Sequence, residues 1–378
     1  MKFIKKISHY ITLCVIVIMP MVVHSQAYQF TEVKNLDALP VISQGRTGTC
    51  WSFSTTSFLE SEIIRKTGKH INLSEIYPVK QGYLLKAENY ILRQGKAQFD
   101  EGALGHDIIK SMDKFGLVPI EVFSGLEEGA DMHNHTEMVA VLKSVLDTYV
   151  KNPAGRLSGK WKTVVQCILD AYLGTVPANF KYEGMTYTPL SFREMTTLNA
   201  NDYVTLTSFT HIPFDAYQIL SIPDNYSNGA MYNIPLEEMT KVVDQALSQG
   251  YTIALDCDVS EPTFSAKYGI AVLPANGDDA SSILMEIKPE MNVTQAYRQQ
   301  EFEALTTTDD HLMHIVGLEK DQKGNIYYKV KNSWGDNPEK VGHNGYVYMS
   351  QPYFNLKSIS ILLHKDALPN TLRSRMKI

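Results

Sequence analysis

Eleven residues, Gln44-Gly45-Arg46-Thr47-Gly48-Thr49-Cys50-Trp51-Ser52-Phe53-Ser54, place a thiol six positions after a side-chain amide, with two glycines between them. A thiol attacks a carbonyl as its thiolate, and a helix N-terminus and a neighbouring imidazolium both favour that charge. Gln44 can set its amide beside the Cys50 backbone N–H, where the oxyanion of a tetrahedral intermediate develops. On its own a Cys-Trp pair is an ordinary buried helix start, so the reading needs partners.

Two later runs supply them. Asp310-His311-Leu312-Met313-His314-Ile315-Val316-Gly317 is strand-like, and Tyr328-Lys329-Val330-Lys331-Asn332-Ser333-Trp334-Gly335 is a strand that ends in a turn. A nucleophilic cysteine needs an imidazole to take and return the proton, and a third group to hold that ring. His311 and Asn332 suit those roles, with the Trp334 indole shielding their hydrogen bond. His314 is the rival base, and because strand positions 311 and 314 face opposite ways, only one of the two can meet Cys50.

The elements that must position these groups follow from periodicity. After the breakers Gly45 and Gly48, Cys50 opens a helix whose Trp51, Thr55, Leu59 and Ile63 form one buried stripe, closed by Gly68. Helices are expected over residues 74–92, 106–115, 136–150, 161–173 and 235–249, and strands over 252–259, 311–318, 326–331 and 345–349. Helices first and strands last indicate an α+β protein with a cleft between two packed parts. The expected division is a leader at 1–25, a helical part with the nucleophile at 26–119, an inserted subdomain at 120–235, and a β-rich part with the histidine and asparagine at 236–378.

At its motifs the chain resembles the papain superfamily of cysteine peptidases (family C1), which share a glutamine six residues ahead of Cys-Trp, a histidine six before a glycine, an Asn-Ser-Trp-Gly turn, and Asn-Gly-Tyr. Here these are Gln44 with Cys50-Trp51, His311 with Gly317, Asn332 through Gly335, and Asn344-Gly345-Tyr346, all in the family's order. The glycine spacing selects His311 over His314. Cys50 and His311 lie 261 residues apart, against roughly 130 to 150 in a compact papain-like enzyme. That gap, with phrases such as Tyr232-Asn233-Ile234-Pro235-Leu236, resembles the bleomycin hydrolase and aminopeptidase C branch over most of residues 35–365.

The resemblance implies a papain-like two-part fold, a thioacyl intermediate, no cofactor, and Gly102 and Ala103 with Trp334 as substrate-binding residues. It also meets three departures. Thr47 stands where the family carries a disulfide cysteine, Gly102-Ala103 replaces a paired glycine whose groove the added methyl would narrow, and the sequence given stops at Ile378, where the branch continues into an arm that restricts attack to free N-termini. The branch-level likeness favours an aminopeptidase and the absent arm an oligo-endopeptidase, with the former slightly ahead and a silent peptide- or glycan-binding protein as the third reading. A homo-oligomer stays open, and the branch's hexamer is not carried over.

Composition narrows the surroundings. The 378 residues are 44% hydrophobic, enough for a large core. Lys2, Lys5 and Lys6 precede an apolar run over residues 10–23, the layout of a secretory signal peptide, too short to span a bilayer as an anchor. Export to a periplasm or the cell exterior is expected. Without those lysines 32 basic residues face 41 acidic ones, which disfavours nucleic acid as a partner and leaves peptide as the expected substrate. Cys50, Cys167 and Cys257 are too few for a disulfide scaffold, and whether the last two pair stays open. Asp309 and Asp310, like Asp131 with His133 and His135, lack a metal-ligand spacing and read as solvated loops. Asn225-Tyr226-Ser227 and Asn292-Val293-Thr294 match the glycosylation sequon.

Overall fold

Central strands buried on both faces divide the molecule's apolar side chains between two helical layers. In the computed structural model, which describes residues 28–126 and 129–378, the helices are α1 (Cys50–Thr67), α2 (Ile76–Leu92), α3 (Gly105–Phe115), α4 (Thr136–Lys151), α5 (Lys160–Leu173), α6 (Pro189–Met195), α7 (Leu236–Ser248), α8 (Gln295–Glu303), α9 (Gln351–Lys357) and α10 (Asn370–Met376). The strands run β1 (Thr31–Asn35), β2 (Phe180–Tyr182), β3 (Met185–Tyr187), β4 (Tyr203–Thr207), β5 (Ala216–Ile219), β6 (Ala230–Asn233) and β7 (Ile253–Cys257), then β8 (Phe264–Ser265), β9 (Ile270–Ala271), β10 (His311–Lys320), β11 (Ile326–Lys331), β12 (Tyr346–Ser350) and β13 (Ser358–His364). The expected leader at residues 1–25 lies outside the described residues.

One sheet, ordered β5-β6-β4-β13-β7-β10-β11-β12-β9-β8 with β1 on β10, runs through the molecule. Ala254, Leu312, Ile359 and Leu362 face the core that contains α1 to α5. Their neighbours Leu255, Met313, Ile361 and Leu363 face the core that contains α7, α9 and α10. This alternation is what a strand's two faces require when both are covered.

The expected helices and strands stand within a few residues of their periodic patterns. Two expectations change. Residues 50–64 of α1 are all buried, so the helix is not a one-stripe surface element; the sheet, α2 and α3 enclose it. Residues 120–235 do not form a body apart either. Helices α4 and α5 bury Met138, Leu142, Trp161 and Leu169 in the α1 core, and β4, β5 and β6 extend the main sheet beyond β13. Short strands such as β6, with four residues, carry too little alternation to be read before their neighbours are known. Helix α10 packs Leu372 and Met376 in the α7 core, and Arg375 pairs with Asp215 and Glu238.

Candidate active site

Three elements converge at the start of β10. The loop before α1 ends in Thr49, and Cys50 is the first residue of the helix, so its backbone N–H has no carbonyl one turn earlier to bond. Helix α1 lies against β10, tied by Ser54 Oγ donating to the Met313 carbonyl at 2.6 Å. The Cys50 thiol meets the backbone N–H of Leu312, next to His311. Burial and the carboxyls of Asp224, Asp309 and Asp256 nonetheless push Cys50 up to about 12, while the Leu312 N–H pulls it down.

His311 is held from β11. Its Nε2 lies 2.8 Å from Asn332 Oδ1, and the same oxygen accepts the Ser333 backbone N–H at 2.8 Å. A backbone N–H can only donate, so the atom facing it is the amide oxygen, and Nε2 of His311 must carry a hydrogen. In the neutral ring Nδ1 then holds the lone pair. Trp334, 39% exposed, covers this pair with its ring centroid 4.8 Å from that of His311. Burial lowers His311 to about 4, opposed by the Asn332 hydrogen bond. Taken singly, each charge is disfavoured by burial; formed together by one proton passing from thiol to imidazole, the two offset each other.

Gln44 is fastened on both sides. Ser333 Oγ donates to its Oε1 at 2.5 Å, its Nε2 donates to the Thr47 carbonyl at 2.6 Å, and its backbone N–H reaches the Ser333 carbonyl at 2.9 Å. One of the two Nε2 hydrogens is thus left for an acceptor in the cleft. Thr47, at the family's disulfide position, ties the loop instead with its hydroxyl, donating to the Gln44 carbonyl at 2.9 Å.

Residues 133–135 brace this loop from outside. Arg46 N–H donates to the His133 carbonyl at 2.8 Å, and Gly45, at φ +67°, packs so close that a Cβ would overlap that carbonyl. Gly45→Ala is expected to shift the loop and lower kcat by about a hundredfold, the scale of an ångström's misplacement. Steady-state kinetics, beside a thermal midpoint that stays cooperative, checks this.

The remaining residues fall as follows. Gly102 lies beneath Asp224, whose carboxylate fills the place of a Cβ. Ala103 is wholly buried in the α1 core, so its methyl does not narrow an open groove. His314 turns away from His311, as the alternation requires, with Nδ1 3.0 Å from Ser57 Oγ. The solvated-loop reading fails for His135, which is 3% exposed, and for Asp309, which burial and Asp224 raise to about 7. Asp310 bonds across the fold and not locally, accepting the N–H of Val259, just past β7, at 3.0 Å. Cys167 is exposed and Cys257 buried, both free, so they do not pair. Asn225 is buried, its amide donating to the Leu220 and Gly229 carbonyls at 3.0 Å, which removes that sequon's acceptor from solvent. Among the described residues no acid or histidine group could hold a metal ion, and no helix is long and apolar enough to cross a membrane.

Sequence reasoning missed a cavity of about 210 Å3 behind α1, lined by Ser57, Glu60, Glu75, His314 and Lys331. Burial and the Glu75 charge raise Glu60 to about 8, against Lys331 and the Leu73 N–H, which lower it. A carboxyl raised in the fold stabilises most below its unfolded value, near 4.3, and that contribution is lost as pH rises toward 8. Glu60→Gln is therefore expected to flatten the fall in urea midpoint between pH 5 and 9. Ser57 and Glu60, three residues apart in an otherwise buried helix, were the available signal.

The Peptidase C1-like family matches residues 177–378, more than half of the chain, and the papain family of cysteine proteases matches residues 26–80. The chain is 24% identical over 372 residues to aminopeptidase G of Lactobacillus delbrueckii subsp. lactis, covering 87% of this chain and 81% of that protein. It is 23% identical to aminopeptidase C of Listeria innocua, covering 88% and 81%. The crystal structure of PepW from Lactobacillus rhamnosis superposes with a TM-score of 0.72 at 20% identity, covering 92% of this chain and 84% of that one.

Proposed function

The chain belongs to the Peptidase C1-like family, and on that premise we propose that it is an exported cysteine-type aminopeptidase acting on peptides. The observation that carries this reading is the sharing of Asn332 Oδ1 between His311 Nε2 and the Ser333 N–H, beside a cysteine at a helix N-terminus. The aminopeptidase names of relatives matched over most of their length support the exopeptidase mode. Export rests on the sequence of residues 1–25.

In the proposed reaction His311 Nδ1 takes the Cys50 proton as sulfur attacks the scissile carbonyl. The oxyanion is met by the Cys50 backbone N–H and the free Gln44 Nε2 hydrogen. Return of the proton from His311 to the leaving amine breaks the C–N bond and leaves a thioester. Water, deprotonated by His311, then attacks the thioester, and the thiolate leaves and regains its proton. Asn332 keeps Nε2 protonated throughout, so the lone pair stays on Nδ1.

The test is one peptide series with free and acetylated N-termini, its products followed by mass spectrometry. Stepwise release from free ends alone is the expected result. Equal rates on both forms would establish an endopeptidase instead, and absence of turnover with an unreactive Cys50 would leave a binding protein.

A further inference from the structure

On the β7 side of His311 the cleft carries charge that the proposed nucleophile and base do not use. Asp256, in β7, is 2% exposed and sits opposite Leu312 and Ser360. Its Oδ2 accepts from Ser360 Oγ at 3.2 Å, whereas Oδ1 has no hydrogen-bond partner among the described residues. Asp309, two residues before His311, closes no bond of normal geometry with either carboxylate oxygen. The Asp256 and Asp309 carboxyls face each other and can bond only while one of them keeps a proton.

Asp224, from the turn between β5 and β6, adds a third acid over Gly102, and all three act on the Cys50 thiol. Of the three acids, Asp224 faces a cation, Lys86 of α2. Its Nζ donates to the Asp100 and Gly102 carbonyls, and burial brings it down to about 8 against the pull of Asp224, Asp100, Asp107 and Glu101. Asp224 is raised to about 6 by burial and Asp309 to about 7, and burial with the Asp309 charge also holds Asp256 well above the usual carboxylate range. Beyond the Ser360 hydroxyl on Asp256 and a pull from the Asp224 backbone N–H on Asp309, these buried carboxyls have too few donors, which is costly to a fold, and a cation entering beside them lowers that cost.

We propose that Asp224, Asp256 and Asp309 form the subsite for a cationic nitrogen of the substrate on the acyl side of the scissile bond, in the first place the free α-ammonium of a peptide. This rests on the aminopeptidase reading and says what would hold the N-terminus. The three N–H donors of an ammonium suit the open oxygens of Asp256 and Asp309. A lysine or arginine side chain carries the same chemistry, so the two sources are separated experimentally.

The experiment uses full-length Cys50→Ala protein, which binds without turnover, and calorimetry with a tripeptide of neutral side chains in free and acetylated forms, plus an acetylated form with one lysine. Binding of the free form at least tenfold tighter than the acetylated form assigns the subsite to the α-ammonium, and a preference shown only by the lysine peptide assigns it to a side chain. Added to Cys50→Ala, Asp309→Asn is expected to remove that preference, roughly 10- to 100-fold for a charge-assisted bond, while leaving the acetylated neutral peptide unchanged; Asp224→Asn serves should Asp309→Asn misfold. Binding in two buffers of different ionisation enthalpy should show proton release near pH 7, a signature that mere structural support would not produce. Equal affinities for all three peptides, or equal losses on all three in the variants, overturn the proposal. Peptide binding with this preference but no hydrolysis by the wild-type protein would instead overturn the aminopeptidase reading alone.

Discussion

Cys50→Ala is expected to lower kcat on aminoacyl amides by about a millionfold, the scale seen when the nucleophile of a catalytic unit is removed. The methyl occupies the thiol's place at the tip of α1 without new polarity, so the fold should persist and the thermal midpoint should stay near that of the wild type. His311→Ala is expected to cost nearly as much, and the double variant little more than either alone, because a base without its nucleophile contributes nothing. Additive losses, or hydrolysis undiminished in Cys50→Ala, would sink the assignment. A labelling arm makes it independent of substrate choice: in the wild type, iodoacetamide should modify Cys50 faster than a free thiol at pH 7, with Cys167 as the exposed internal reference. Burial by itself pushes the Cys50 thiol up, so a rate above that of a free thiol would report its pairing with the imidazole. His311→Ala should abolish the excess reactivity.

Gln44→Ala is the second large effect. Removing one oxyanion donor costs about 100- to 1000-fold in kcat, and KM should change much less, since the bond is made as charge develops on the carbonyl oxygen. Ser333→Ala separates chemistry from support. Among the described residues Ser333 Oγ bonds only the amide oxygen of Gln44, so its loss loosens the amide while leaving Nε2 in place, and a smaller reduction, about tenfold, is expected on the scale of one net hydrogen bond. If the two variants lose the same factor, Gln44 acts by shaping the loop and the oxyanion is met elsewhere.

How far the site could be read ahead of the fold differs by residue. Cys50, His311, Asn332 and Gln44 each sit in a local pattern that names both the residue type and the element carrying it. A strand's alternation also separated His311 from His314, and the two do turn apart. Thr47 and Ser333 were visible as residues, but their hydrogen bonds to Gln44 depend on the approach of β11 to the loop before α1. Asp309 was misread as solvated because an acid next to a strand start is usually exposed. Only the packing of Asp256 and the β5–β6 turn against it shows otherwise. Ala103 was misread for the same kind of reason, since which way one methyl turns is not encoded in its neighbours along the chain.

By itself the sequence determined which residues are proposed as nucleophile and partners, the helices and long strands that carry them, and the family to which they point, because each rests on local spacing. Tertiary structure decided that the middle segment joins the main sheet through β4, β5 and β6, that α1 is enclosed on every side, and that three acids gather beside Cys50. Those facts join residues 50, 224, 256 and 309. Burial and electrostatics act through space, so no local pattern records them until the sheet has brought these residues together.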